Sequence, residues 1–526
     1  MNCGPMPCKE VDTSVAVVSG PHESSRNWVL AATILGSSME FIDGTVVNVA
    51  LPNLQSSLGA TGAQAQWVVE AYALFISSLL LIGGSLGDRF GLRRMFLCGV
   101  VLFTCASIWC GVSPGIGQLL IGRCLQGIGG ALLVPNSLAL LSAYFQGTAR
   151  GRAIGIWSGF ASIMTAFGPV LGGWMVQHRS WRAVFFLNVP IALATAWIIL
   201  TRTRNRETRV NGKRLDLPGM LLATIGLSCV TFGLLEWSSH RIQSHLCGAI
   251  GLLLLVLFVL VERRTRSPLV PVELFLNRNF TGANLLTFFL YGALSATLFY
   301  LPLNLIQAQS YSPTQAGAAT LPMVLLMFLL SRWAGGLVER YGPRKPLIIG
   351  PLVAAGGFVL FALPGVGGSY WITYFPAVLM LGFGMTVSVA PLTILVMSSV
   401  TQNRAGAASG INNAVSQTAA LLAIAISAPI FFACFRIALP NQMRAADVSP
   451  PVVQQLQEQE ALLGAIPTDD PKGRVAIDRA FVDAFRLIAL LAATASASAG
   501  VTAFVTIRNQ TSDIRSGAAV GYRHHE

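Results

Sequence analysis

Apolar runs of 18 residues or more recur along nearly the whole length of this chain, and nothing else in the sequence narrows its fold as much. A helix of about 20 apolar residues crosses the hydrocarbon core of a bilayer. Lipid offers the backbone no hydrogen-bond partner, so only helices and closed barrels span it. Barrel strands alternate apolar and polar positions over about ten residues. Stretches such as Leu252–Val261 are instead apolar on every face. The 526 residues are 53% hydrophobic and 11% charged, with a mean hydropathy of +0.63. A soluble globular protein is thereby excluded, and the class is an all-α polytopic membrane protein.

Fourteen spans are predicted between residues 27 and 507. An even number leaves both termini on one side. With both termini cytoplasmic, the inner loops hold 19 Lys and Arg residues and the outer loops 7. That bias fixes the orientation. The formal net charge of +13 is therefore a topology signal, and no nucleic-acid partner is expected. Residues 1–26 form a polar cytoplasmic tail without a small-residue cleavage site after a short apolar core, so no cleavable signal peptide is expected. The nine cysteines form no C-x-x-C pair and lie mostly in apolar spans, and the six histidines fall in tails, short loops or span ends. No metal site and no cofactor are predicted.

An internal repeat organises the chain. Residues 84–94 read GSLGDRFGLRR and residues 335–345 read GGLVERYGPRK, aligning Asp88 with Glu339, Arg89 with Arg340 and Gly91 with Gly342. Gly127-Ile128-Gly129 likewise matches Gly382-Phe383-Gly384. Two parallel six-helix halves, 27–201 and 279–507, account for the repeat. Residues 202–278 then comprise a basic linker (202–214), suited to anionic lipid headgroups, and two inserted helices. An outer loop is expected at 437–480 and a cytoplasmic tail at 508–526. Residues 451–465 read as a short amphipathic helix on the membrane or capping the outer mouth, or as a solvated polar loop.

Ionisable residues sit inside the apolar runs. Glu40 and Asp43 share one side of the first helix, three residues apart. Glu70 lies in the second span and Arg123 in the fourth. A charge at mid-membrane costs about 2.5–3.5 kcal/mol on insertion scales, and such residues face protein or water and serve function. Arg123 needs a partner inside the bundle, and Asp43, Glu40 and Glu70 are the candidates.

These features sit in motifs that resemble the major facilitator superfamily and, within it, the fourteen-span drug–proton antiporters of the EmrB/QacA type. IDGTVVNVALP (42–52) is similar to that family's first-span signature, with Asp43 at its acidic position. Residues 84–94 resemble the superfamily's G-x-L-A-D-R-x-G-R-K loop, with Leu92 where a basic residue is usual. Gly84 and Gly91 would permit close helix approach and a tight turn. Asp88 would latch the inner gate, and Arg89 and Arg93 would reach helix carbonyl ends or lipid phosphate. The span-four run from Leu119 through Arg123, Gln126 and Gly127 places an arginine that, by the resemblance, takes part in proton coupling. Gly168, Pro169, Gly172 and Gly173 fit the antiporter motif of span five, although Met164 stands where a glycine is expected. The run Trp181-Arg182-x2-Phe185-x2-Asn188-x-Pro190 resembles the start of span six and reads as structural.

The resemblance implies a major facilitator fold and a proton-coupled exporter of amphipathic, cationic or neutral compounds, resident in a bacterial-type inner membrane. Its partners would be a small organic substrate, protons and the bilayer, with a periplasmic adaptor left open. The second half carries no acid from Thr281 to Leu337 or from Pro343 to Ala445, and its polar members are amides. Gln126, Asn136, Phe289, Tyr300, Asn412, Asn413 and Gln417 are the candidate substrate-cavity residues, and the aromatic residues of span nine, with Trp333, are candidate stacking surfaces. A same-fold exporter of one endogenous metabolite, siderophore or lipid is the alternative. An integral-membrane enzyme would need a His, Cys or Asp cluster at one face, which the scattered histidines do not supply. No G-x4-G-K-[ST] loop for ATP is present.

Overall fold

A computed structural model describes residues 23–145, 147–203, 216–237, 241–265, 268, 270, 272–400 and 405–508. Among these, no strand occurs and fourteen long helices follow one another. The first six are α1 (Glu23–Leu58), α2 (Gly62–Phe90), α3 (Leu92–Val112), α4 (Ile116–Tyr144), α5 (Gly147–His178) and α6 (Asn188–Arg202). A hairpin of α7 (Leu217–Leu235) and α8 (Arg241–Glu262) comes next. The last six are α9 (Arg278–Leu303), α10 (Leu321–Tyr341), α11 (Arg344–Phe361), α12 (Phe375–Ser398), α13 (Ala405–Ala445) and α14 (Pro471–Thr506). Thirteen described stretches are long and apolar enough to cross a membrane; α2 is not among them, and it packs between α4 on one side and α7 and α13 on the other. The tails and residues 204–215, most of the basic linker, lie outside the described residues.

Helices α1 to α6 pack as one group and α9 to α14 as a second. The α7–α8 hairpin lies across their junction, against α2 and α13. The repeat in the sequence is a repeat in geometry. Gly91 ends α2 at φ 102°, its N–H donating to the Gly87 carbonyl at 2.9 Å, and Gly342 ends α10 at φ 73°, donating to Val338 at the same distance. Only glycine takes such angles without strain. Gly127 faces the Tyr72 carbonyl of α2 and Gly129 the Phe103 backbone of α3. Their counterparts Gly382 and Gly384 face Met323, in α10, and Ala354, in α11. Each half thus seats its fourth helix on its second and third at backbone contact.

The two ends of the bundle differ. We term the end where α1 begins and α14 finishes proximal, and the opposite end distal. At the distal end, a Cβ added to Gly173 would strike the Pro313 backbone, and one added to Gly317 would strike the Pro169 backbone. Thr314 donates to Gln177 across the same seam at 2.6 Å. The sequence expectation of a long loop at 437–480 contracts to 446–470, because α13 continues to Ala445 and α14 starts at Pro471. Its central part is a helix (Pro450–Glu458) and a 3₁₀ turn (Glu460–Ala465) that cap the distal mouth. Leu463 wedges against Gly62 of α2, and Gln55 of α1 donates to the Leu462 carbonyl at 3.0 Å. Gln307, just past α9, donates to Gln55 at 3.1 Å. Towards the proximal end α5 and α10 fit nothing in this way: a Cβ added to Gly155, Gly159, Gly335 or Gly336 would meet no atom. The α5–α10 seam is closed distally and parted proximally.

Candidate functional site

Inside the first group of helices, five elements converge on one carboxylate. Asp43, near the middle of α1, is 0% exposed, and its Oδ2 accepts from Arg123 Nη1 of α4 at 2.5 Å, with Arg123 itself 1% exposed. Arg123 spreads its remaining donors: Nε donates to the Val68 carbonyl of α2 at 2.8 Å, and Nη1 also to Gln126 Oε1 at 2.8 Å. The Tyr72 ring of α2 lies 4.4 Å from the guanidinium carbon, a cation–π contact. The second carboxylate oxygen, Oδ1, accepts from Gln126 Nε2 at 3.1 Å and from Asn188 Nδ2 of α6 at 3.4 Å. Ser107 Oγ of α3 completes the ring by accepting from the same two amides, at 2.7 and 3.1 Å.

The local sequence explains this convergence. Gly127 and Gly129 follow Gln126 and bring α4 to backbone contact with α2 and α3, so short polar side chains meet there. Gly168 and Gly172 of α5 close on Thr45, Ile42 and Val46 of α1, holding the helix that carries Asp43. Two ions removed from water cost several kcal/mol each, and geometry this complete is what offsets it. A proton on Asp43 removes the charge opposite Arg123 but leaves the arginine its carbonyl, amide and aromatic contacts.

The three candidate acids do not form one site. Glu40 lies one turn proximal of Asp43, is 7% exposed, and leaves Oε2 buried without a hydrogen bond. It belongs with the Asp43–Arg123 pair. Glu70 is 0% exposed with both oxygens lacking a hydrogen bond, and it faces the second group of helices, beside Tyr300.

Several expectations change. Gln126 is no cavity residue; it is 0% exposed and joins Arg123 to Asp43. Asn136 is also 0% exposed, donating to the carbonyls of Gly83 at 2.9 Å and Leu132 at 2.6 Å, so it locks α4 onto α2 instead of lining a chamber. Tyr300 is 1% exposed, stacked on Phe431 with ring centroids 4.5 Å apart, and accepts from Gln66 at 2.6 Å; it belongs to the distal closure. Phe299 is buried beside it. Phe289 is half-buried against Phe288, and Asn412 donates to Asn284 and Thr287 across the α9–α13 contact. Asn413 is exposed and Gln417 half-buried. Trp333 is exposed and stacks on Phe383.

In the gating loop, the close approach falls on Gly83 and Gly87, where an added Cβ would strike α4, and Gly84 keeps an ordinary 3.6 Å contact. Arg93 donates to the terminal carbonyls of α6 at Ile199 (2.6 Å) and Leu200 (3.3 Å). Arg89, Glu339 and Arg340 are exposed at the proximal end, and the side chain of Asp88 lies outside the described residues. Of the antiporter-motif residues, Gly168 and Gly172 meet α1, while Pro169 and Gly173 meet the segment before α10. Asn188 does more than the structural role read from its motif, since it reaches Asp43. Ser107 and Tyr72 carried no sequence signal at all.

Comparison with known proteins agrees with this architecture. The Major Facilitator Superfamily profile matches residues 33–424. The chain is 31% identical over 459 residues to the tetracenomycin C resistance and export protein of Streptomyces glaucescens, covering 84% of this chain and 83% of that one. It is 34% identical over 413 residues to the methylenomycin A resistance protein of Bacillus subtilis (strain 168), covering 76% and 87% respectively. Among solved structures, a bacterial homolog of the human lysosomal transporter Spinster, inward-facing and unoccupied, superimposes with a TM-score of 0.67 at 16% identity, covering 92% of this chain and 98% of that one. Apolar helices, a glycine-cut repeat and an extended profile match lead to one conclusion: this chain is a membrane transporter of the Major Facilitator Superfamily.

Proposed function

We propose that this protein is a proton-coupled antiporter that exports amphipathic organic compounds, cationic or neutral, by alternating access. The observation that carries the reading is the Asp43–Arg123 pair, completely buried inside one group of helices and held from five of them. A titratable pair held in oil at such cost is retained for a charge that comes and goes. The proximal end is cytoplasmic, in keeping with the excess of Lys and Arg in its loops, and both termini lie there. The membrane is the plasma membrane. Substrate enters from the cytoplasm or inner leaflet through the parted α5–α10 seam. Protons enter from outside once the distal cap and seam have opened, and protonation of Asp43 frees Arg123 from its strongest partner. Each proton brings the gradient's electrical part, about 2.3 kcal/mol per charge per 100 mV.

A second reading, export of a single compound, is supported by relatives named for one antibiotic each, whereas others are named multidrug proteins. Both readings share the mechanism. Dye accumulation in energised cells tests it, with wild type, Asp43→Asn and Arg123→Ala compared with and without an uncoupler. Wild type should lower accumulation only while the gradient lasts. Equal lowering after collapse refutes proton exchange, and unchanged export by Asp43→Asn refutes the site.

A further inference from the structure

The pair at Asp43 lies within the first group of helices, but one ionisable group lies between the two groups. On α2, Gln66, Glu70 and Leu74 follow at intervals of four and form one stripe. Gln66 donates to Tyr300 of α9 at 2.6 Å, and Leu74 packs with Leu421 of α13 and Leu227 of α7. Glu70, between them, is fully buried with neither oxygen hydrogen-bonded. From α9 comes the Tyr300 hydroxyl, with Ser427 of α13 beside it. Glu236, just past α7, accepts from Trp67 Nε1 at 3.2 Å. From α4 comes Arg123, but its hydrogen bonds go to Asp43, Gln126 and Val68 on the other flank of α2. No cation among the described residues forms an ion pair with Glu70.

We infer that Glu70 is a second proton-binding site, set in the seam between the two helix groups, and that the distal closure forms only over its protonated carboxyl. This deepens the proposed antiport and rests on it. Opening the distal end must break the Gln66–Tyr300 bond and draw Glu70 into water, where a proton from the distal side reaches it. Closing buries the carboxyl again beside a neutral hydroxyl. An ionised carboxylate without a counter-charge opposes that burial, whereas the neutral acid does not. Proton uptake from outside is thereby tied to the return of the empty carrier, at a place distinct from Asp43.

The test uses purified full-length protein in proteoliposomes, with a fluorescent organic cation as substrate and a pH dye to count protons. Wild type and Glu70→Gln are compared. The amide mimics the neutral acid, so the variant should close without a proton. Gradient-free substrate exchange should lose its dependence on distal pH while persisting. Unchanged pH dependence in Glu70→Gln overturns the seam site while the antiport reading stands. If wild type moves no protons, both fall together. Should Glu70→Gln not fold, dicyclohexylcarbodiimide labelling of wild type, read by mass spectrometry, decides: an adduct at Glu70 that declines as pH rises supports the site, and labelling that ignores pH overturns it.

Discussion

Removing one member of the Asp43–Arg123 pair leaves the other as a buried ion, and the cost should depend on the neutral contacts that member keeps. In Arg123→Met the carboxylate keeps only the Gln126 and Asn188 amides, at 3.1 and 3.4 Å, and no positive charge. The Val68 carbonyl loses its second donor as well. Leaving a buried charge uncompensated costs about 3–5 kcal/mol. In Asp43→Asn the arginine retains Val68, Gln126 and the Tyr72 face, and the one amide oxygen can accept either from Arg123 or from Gln126 and Asn188. What is lost is the counter-charge of a buried arginine, about 3–5 kcal/mol for an uncompensated ion, reduced by the neutral carbonyl, amide and aromatic contacts that Arg123 keeps.

The double variant Asp43→Asn with Arg123→Met removes both charges and keeps the amide ring. It should therefore recover about 2 kcal/mol of the Arg123→Met loss, because no ion is left unpaired. All three variants should lose proton-driven export, so stability and transport separate. Denaturant unfolding in mixed micelles of fixed lipid composition measures the first, and uncoupler-sensitive dye export the second. The reasoning is refuted if Arg123→Met is no less stable than Asp43→Asn, or if the double variant is the least stable of the three.

Three further outcomes are expected. Gly173→Val places a side chain where α5 meets the Pro313 backbone, so the distal seam should stay open: export fails, and a cysteine introduced at Gln177 reacts faster with an impermeant maleimide. Asn188→Ala withdraws one of the donors to Asp43 and Ser107 and should cost about 1–3 kcal/mol in the same unfolding assay. Gly91→Ala and Gly342→Ala force a Cβ into positive φ at equivalent turns, and each should lower stability by about 1–3 kcal/mol, an equality that a shared repeat geometry requires.

The fold was legible because lipid enforces it. Apolar length reports helices directly, and glycines at matched spacing report which helices touch. Gly129 and Gly384 could be paired from the sequence, and each meets the preceding helix of its own group. Asp43 and Arg123 were legible for the same reason, since a charge in an apolar run needs a partner. What periodicity cannot reveal is which neighbour a polar face meets. Ser107 is an ordinary small residue in a helix until Gln126 and Asn188 converge on it. Gln126 and Asn136 read as cavity amides because their spacing is compatible with any inward face. Tyr300 read as a ligand platform because an aromatic side chain in a span carries no mark of the lid that covers it. Glu70 grouped with Asp43 by charge alone, and only the contacts of its own stripe place it in the seam.

That placement gives α2 an unusual position. The carbonyl of Val68 is held by Arg123 on one flank, and two residues later Glu70 faces the opposite group on the other. The helix that feels whether Arg123 is bound to Asp43 is thus the helix whose carboxyl must be neutral for the seam to close. Since α2 is one continuous helix from Gly62 to Phe90, a shift at Val68 cannot leave Glu70 behind. Its far end carries the Gly87–Gly91 turn of the gating loop, which lies at the proximal face. A single rigid element therefore touches the buried pair, the distal seam and the proximal gate. Two-state coupling between distant sites requires a shared element of this kind whose equilibrium both bias. The α7–α8 hairpin packs along that element and along α13, where Leu227 packs with Leu74 and Leu421.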